Sequence, residues 1–199
     1  MFISRAAAGL ASISLAVAPL IAGPLAAQTA PGALYTVVVP AGQFGSSAYL
    51  THVLQGLSAA RAFCAALNDE TLNVDCLAER LAEIGEEVPD DTDYVEIRSI
   101  LNDTADQLAD LARTNRDSGR SRVTASQPGQ EPGTIVAQTT RPLVPVRPET
   151  LAAVNNQAVA ILEETETLLL RSAASGEQST QYARIADALD SNKVLLRSA

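Results

Sequence analysis

The chain has no tryptophan, one methionine, one histidine and two cysteines among its 199 residues. His52 alone cannot build a multi-histidine metal site, and it leaves a single position for a Ser-His-Asp arrangement. Beside the Val53 and Leu57 stripe it reads as a surface or seam histidine. Met1 is the sole methionine and leaves with the amino-terminal leader described below, so no thioether copper site survives. Covalent haem attachment, a Walker loop and a dinucleotide fingerprint are absent as motifs. Lysine is equally scarce: Lys193 is the only one, every other basic residue is arginine, and 23 acids against 14 bases give a formal charge of −9. That balance opposes unaided binding to nucleic acid or to an anionic membrane surface. The expectation is therefore no cofactor, no metal and no catalytic residue that can be singled out. Aromatic residues make up 4% of the chain and hydrophobic ones 47%, mostly alanine and leucine, which suits helices meeting through small side chains more than a β-sandwich.

Residues 1–27 have the three-part pattern of a cleavable signal peptide: Arg5, then the apolar run Ala6–Ala22, then Leu25-Ala26-Ala27 before Gln28. Gly9, Pro19, Gly23 and Pro24 weaken the competing reading of a spanning helix. Cleavage after Ala27 leaves no membrane span and puts the mature chain in the bacterial periplasm or outside the cell. That setting is oxidising, so Cys64 and Cys76 are expected as a disulfide. Their spacing is far from Cys-x-x-Cys and their surroundings are acidic, which argues for a structural staple over a redox centre.

The rest divides into an extended arm (28–45), a helical half (46–117), a linker (118–147) and a second helical half (148–199) within one domain. The arm holds the β-branched run Leu34–Val39, for which two placements fit: pairing with Thr134–Ala137, or lying along the helices. In the first half, Leu50, Val53, Leu57, Ala60, Cys64 and Leu67 recur at alternating intervals of three and four, one stripe on one helix face. A turn follows, with Asn73 as the expected N-cap of a helix carrying Val74, Leu77, Leu81 and Ile84 and closed by Gly85 at C′. Positions equally far from the corner of a helical hairpin face each other, which brings Cys64 to Cys76. A third helix, about 93–115, repeats the seam with Tyr94, Ile97, Leu101, Thr104, Leu108 and Leu111. Thr104 reads as a core threonine or one bonded to the preceding turn.

Charge is uneven. From Asp69 to Asp117 fifteen acids face four arginines. Asp90-Asp91-Thr92-Asp93 is assigned to a helix start rather than to calcium, because the ligand order and distal glutamate of an EF-hand are missing. Asn102-Asp103-Thr104 matches a glycosylation acceptor but falls mid-helix.

Residues 118–146 replace periodicity with Gly, Ser, Thr, Gln and Pro, and set Arg120, Arg122 and Arg141 against the single acid Glu131. A flexible crossover lying over the acidic helices is the expectation. Its end, Arg141 to Pro148, spaces Pro142, Pro145 and Pro148 along one edge of a polyproline II helix. Arg141, Pro142, Pro145 and Arg147 are thus candidate partner-binding residues of a Pro-x-x-Pro-x-Arg ligand. In the competing reading the prolines stiffen the linker and Pro148 opens the next helix. That helix carries Leu151, Val154, Ala158, Ile161, Thr165 and Leu168; Gly176 stands as a C′ residue before a last helix with Tyr182, Ile185, Leu189 and Leu196.

Every long segment has one apolar stripe, so the fold expected is all-α: an antiparallel bundle of four or five helices with coiled-coil-like seams. The functional expectation is a non-enzymatic exported protein that binds an unidentified protein partner or associates with itself. The alternative is a small-molecule binder or carboxylate hydrolase with its site between helices.

Overall fold

The computed structural model describes residues 47–88, 93–129, 131 and 133–197, all within one compact unit. The leader, the arm with its Leu34–Val39 run, and Asp90, Asp91 and Thr92 lie outside the described residues. Five helices, α1 (Ser47–Ala65), α2 (Asn73–Glu87), α3 (Val95–Thr114), α4 (Leu151–Ser172) and α5 (Gly176–Arg197), form an all-α bundle. Each helix packs on its neighbour in sequence, and α1 packs on α5, closing a ring of five. None of them is long and apolar enough to cross a membrane.

Cys64 and Cys76 form a disulfide across the α1–α2 corner. The hairpin around it is antiparallel: Gly56 and Ile84, eight residues to either side of the cysteines, also meet, and a Cβ on Gly56 would lie 2.8 Å from Ile84 Cγ1. Small size at Gly56 therefore sets how closely α1 approaches α2. Asn68, with φ at 52°, turns the chain out of α1 in the left-handed conformation that asparagine tolerates best among residues with a Cβ.

Several local expectations shift. Asn73 is the first residue of α2, not its cap; Asp69 caps a preceding 3-10 turn, Glu70–Leu72, by accepting from Thr71 N. Gly85 does not end α2, which continues to Glu87; a Cβ there would overlap the Asn102 side chain, so this glycine serves the close approach of α3. Gly176 opens α5 instead of closing α4 and has no left-handed φ. Pro148 begins a 3-10 turn, Pro148–Thr150, that leads into α4.

The seams of α1, α2, α3 and α5 are buried as the spacing predicts, except that Leu67, beyond the end of α1, and Leu111, where Ala112 takes the buried place, are half-buried. On α4 the buried positions are Val154, Asn155, Ala158, Leu162, Thr165 and Leu169, while Leu168 is 44% exposed. Adjacent leucines offered two stripes there, and packing between α3 and α5 selected the second. Thr104 lies 2.8 Å from Thr165 across the α3–α4 contact, and each hydroxyl also lies within hydrogen-bond range of the carbonyl four residues before it.

The described residues of 116–147 form an ordered strap, not a plain linker. Its limbs run together: Arg147 N donates to Asn115 O, Asp117 N to Pro145 O, and Val123 pairs with Leu143. Farther out the limbs become an antiparallel ribbon of β1 (Ser126–Pro128) and β2 (Ile135–Gln138). Thr134–Ala137, one of the two placements open to Leu34–Val39, thus has β1 as its described partner. Ala125 and Leu143 of the strap join Phe63, Leu72, Leu195 and the two cysteines in a second small core, sealing the disulfide from water.

Candidate functional site

The strap crosses α2 where that helix carries Asp75, Glu79, Arg80 and Glu83. Spacings of three and four place these side chains on adjoining faces of the first three turns. Asp75 has only 1% of its side chain exposed, and it accepts two bonds from Arg141, at 2.6 and 2.9 Å. Val144 N adds a third at 2.7 Å, so a buried carboxylate meets a guanidinium and a backbone amide from one loop. One turn farther, Glu79 accepts from Thr140 N at 2.6 Å and from Thr140 Oγ1 at 2.9 Å.

Arg80 joins three elements. It bonds Glu79 through Nε and Nη2, pairs with Glu83 through Nη1 at 2.5 Å, donates to the Gln138 carbonyl of β2 at 3.1 Å, and lies 4.9 Å above the Phe63 ring of α1. Arg120 closes the near end of the strap on Asp69 at 2.5 Å and Thr71 at 2.7 Å. The basic crossover does lie over the acidic helix, through pairs whose partners are 51 and 66 residues apart.

These contacts set the charge states. The hydrogen bond from Arg120 holds the Asp69 carboxyl below its ordinary value, against the opposing effect of burial. Burial works against ionisation of Glu79 too, yet the bonds from Arg80 and Thr140 outweigh it and lower its pKa. Glu83 goes the other way: burial, joined by the negative charges of Glu79, Glu87 and Glu86, pushes it up despite the opposing help of Arg80.

Of the residues singled out in the sequence, Arg141 is engaged with Asp75, Pro145 is buried, and Pro142 and Arg147 remain wholly or partly exposed. The three prolines consequently do not share one open edge. His52 bridges α1 to α2, with Nε2 2.6 Å from Glu87 Oε2. Ile135 and Val136 at the outer end of β2 are 60% and 66% exposed, although both are large and apolar. Between the ribbon and the α1–α2 hairpin runs a groove of about 200 Å³, lined by the apolar Gly56, Ala59, Ala60, Phe63, Ile84 and Ala137 and by the polar Arg80, Glu83, Glu87 and Gln127. A wider cleft of about 570 Å³ opens at the disulfide end, but its Asp69 carboxylate is already bonded to Arg120 and Thr71.

The ribbon and groove were not singled out from sequence. Ile135-Val136 reads there only as part of a short β-branched run, Ala60 only as a seam residue, and Gly56 and Ala59 carry no assignment. Comparison with protein-family models, with curated proteins and with solved structures finds no match.

Proposed function

We propose that this chain is an exported helical protein that binds a macromolecular partner through the strapped face of α1 and α2, with the ribbon as its principal contact. Export rests on the leader pattern of residues 1–27, and a disulfide is the covalent link that an oxidising compartment favours. The observation that carries the binding reading is the exposure of Ile135 and Val136 on a ribbon that α2 holds in place through Arg80. Large apolar side chains offered to water on an anchored edge strand mark a contact surface, because a free edge otherwise invites aggregation. The carboxylates nearest the strap favour binding over acid–base chemistry: Asp75 and Glu79 are committed to Arg141, Val144, Arg80 and Thr140.

Immobilised mature protein, incubated with envelope extract of its host under non-reducing conditions, should retain a stoichiometric partner. The double variant Ile135→Asp/Val136→Asp should lose it with an unchanged helical circular dichroism spectrum. Equal recovery by both proteins contradicts this reading.

A further inference from the structure

The groove beside the ribbon has a shape and charge of its own. Its volume of about 200 Å³ is below the roughly 300 Å³ at which pockets for small organic ligands begin, and suits one long side chain. Its lining is mostly apolar: Gly56, Ala59 and Ala60 present at most a methyl group, and Phe63, Ile84 and Ala137 complete the apolar surface. Charge gathers at the edge: Glu83 and Glu87 line it, Glu79 and Glu86 adjoin it on the same helix, and Arg80 is the one arginine among its lining residues. An apolar trough with an anionic lip matches a side chain that has a hydrocarbon stem and a cationic head. Ile135 lies two residues from Ala137, about 7 Å along the strand, within reach of the residues flanking such a side chain.

We propose that this groove receives a lysine or arginine side chain from an extended, apolar-flanked segment of the protein partner, its stem on Gly56, Ala59 and Ile84 and its head at Glu83 and Glu87. This rests on the strapped face being the binding surface and adds the chemistry of what is bound. Arg80 is held by Glu79 and Glu83 at once and His52 sits on one oxygen of Glu87, so the four neighbouring carboxylates still outnumber the basic groups beside them and keep a net negative charge that an incoming cation offsets. A second copy of the chain is the competing occupant: its lysine, Lys193, is buried among Glu163, Glu166 and Asp190, which leaves only its arginines to enter the groove.

The test uses the mature protein, labelled with nitrogen-15, and the acetylated, amidated peptide Ser-Val-Lys-Val-Ser, with Ser-Val-Gln-Val-Ser as control. The lysine peptide should shift the amide resonances of Gly56, Ala59 and Ala137, and the glutamine peptide should bind about tenfold more weakly, as loss of a charged pair in a partly desolvated site implies. Ala59→Trp, on an exposed position, should abolish the shifts while leaving the rest of the spectrum intact, and Glu83→Gln/Glu87→Gln should weaken binding by a similar factor and remove its salt dependence. Equal binding of the two peptides, or shifts confined to other surfaces, overturns the proposal. So does a concentration-dependent dimer that Ala59→Trp dissolves, which makes a second copy the occupant. If the peptides fail while Ile135→Asp/Val136→Asp still loses its partner, the cation pocket is wrong and the binding face stands. If partner recovery also ignores the ribbon variant, the face itself is wrong.

Discussion

Arg141 grips the carboxylate of Asp75 from 66 residues away, and the two ends differ sharply in exposure: 1% of the aspartate side chain meets solvent against 37% of the arginine. Removing the arginine therefore strands a buried charge, whereas removing both partners does not. Arg141→Met is expected to lower the unfolding free energy by about 3 kcal/mol, and Asp75→Leu/Arg141→Met to recover a substantial part of that. Urea denaturation of the two variants, followed by circular dichroism, separates these outcomes; equal losses contradict the assignment.

Acid should weaken the strap in a defined window. Asp69 and Glu79 have folded pKa values below their ordinary 3.8 and 4.5, so their contribution is complete above those values and is lost as pH falls from them through the folded ones. Glu83 has the opposite sign: its raised pKa means that protonation on the way down to 4.5 slightly favours the fold. Urea midpoints should stay level or rise a little from neutrality to about pH 5, then decline toward about pH 3. Glu79→Gln should flatten that decline, and a midpoint falling steadily from pH 7 would contradict the assignment.

The Thr104–Thr165 contact has two hydroxyl protons for three oxygen contacts, one between the threonines and one to each backbone carbonyl. At any instant one hydroxyl donates to its own helix and the other across to it, or the reverse. Thr104→Val should cost about 1 kcal/mol, because it leaves Thr165 without its cross-helix partner. Thr104→Val/Thr165→Val should be nearly neutral, and a double-mutant cycle on unfolding free energies measures the difference. Strict additivity would show that the two residues do not interact.

Much of the bundle was legible because helix seams repeat locally. Leu50 to Cys64 and Tyr94 to Leu108 announce their buried faces through spacing alone, and equal distance from the corner pairs Cys64 with Cys76. The face of α4 was less legible, since Ile161-Leu162 and Leu168-Leu169-Leu170 permit two registers that only α3 and α5 distinguish. The strap was legible as charge but not as structure. Its Gly, Ser and Pro content matches that of a mobile linker, and the order comes from pairs such as Arg120 with Asp69 that no local pattern records. The groove was hidden for a related reason: it exists only once α1, α2 and the ribbon meet.

The disulfide should act on stability, not on chemistry. Closing a loop with a sequence separation of 12 restricts the unfolded chain, and its loss in Cys64→Ala/Cys76→Ala should cost about 3 kcal/mol in the chain-entropy model. Both cysteines are buried under Ala125 and Leu143, so reduction under native conditions should be slow and should accelerate in Arg141→Met, where the strap loosens. Alkylation with mass detection follows this directly; rapid labelling of the untreated native protein would show that the pair is not bonded or not covered.

Native-state hydrogen exchange across residues 116–147 tests the strap itself. The amides of Val123, Thr140, Leu143, Val144 and Val146, which donate to Leu143 O, Glu79, Val123 O, Asp75 and Thr71 O, should exchange slowly, and Arg141→Met should release those of Thr140 and Val144 first. Exchange of the whole segment at the rate of an unstructured chain, with the helices still protected, would contradict a clamped ribbon and everything inferred from it.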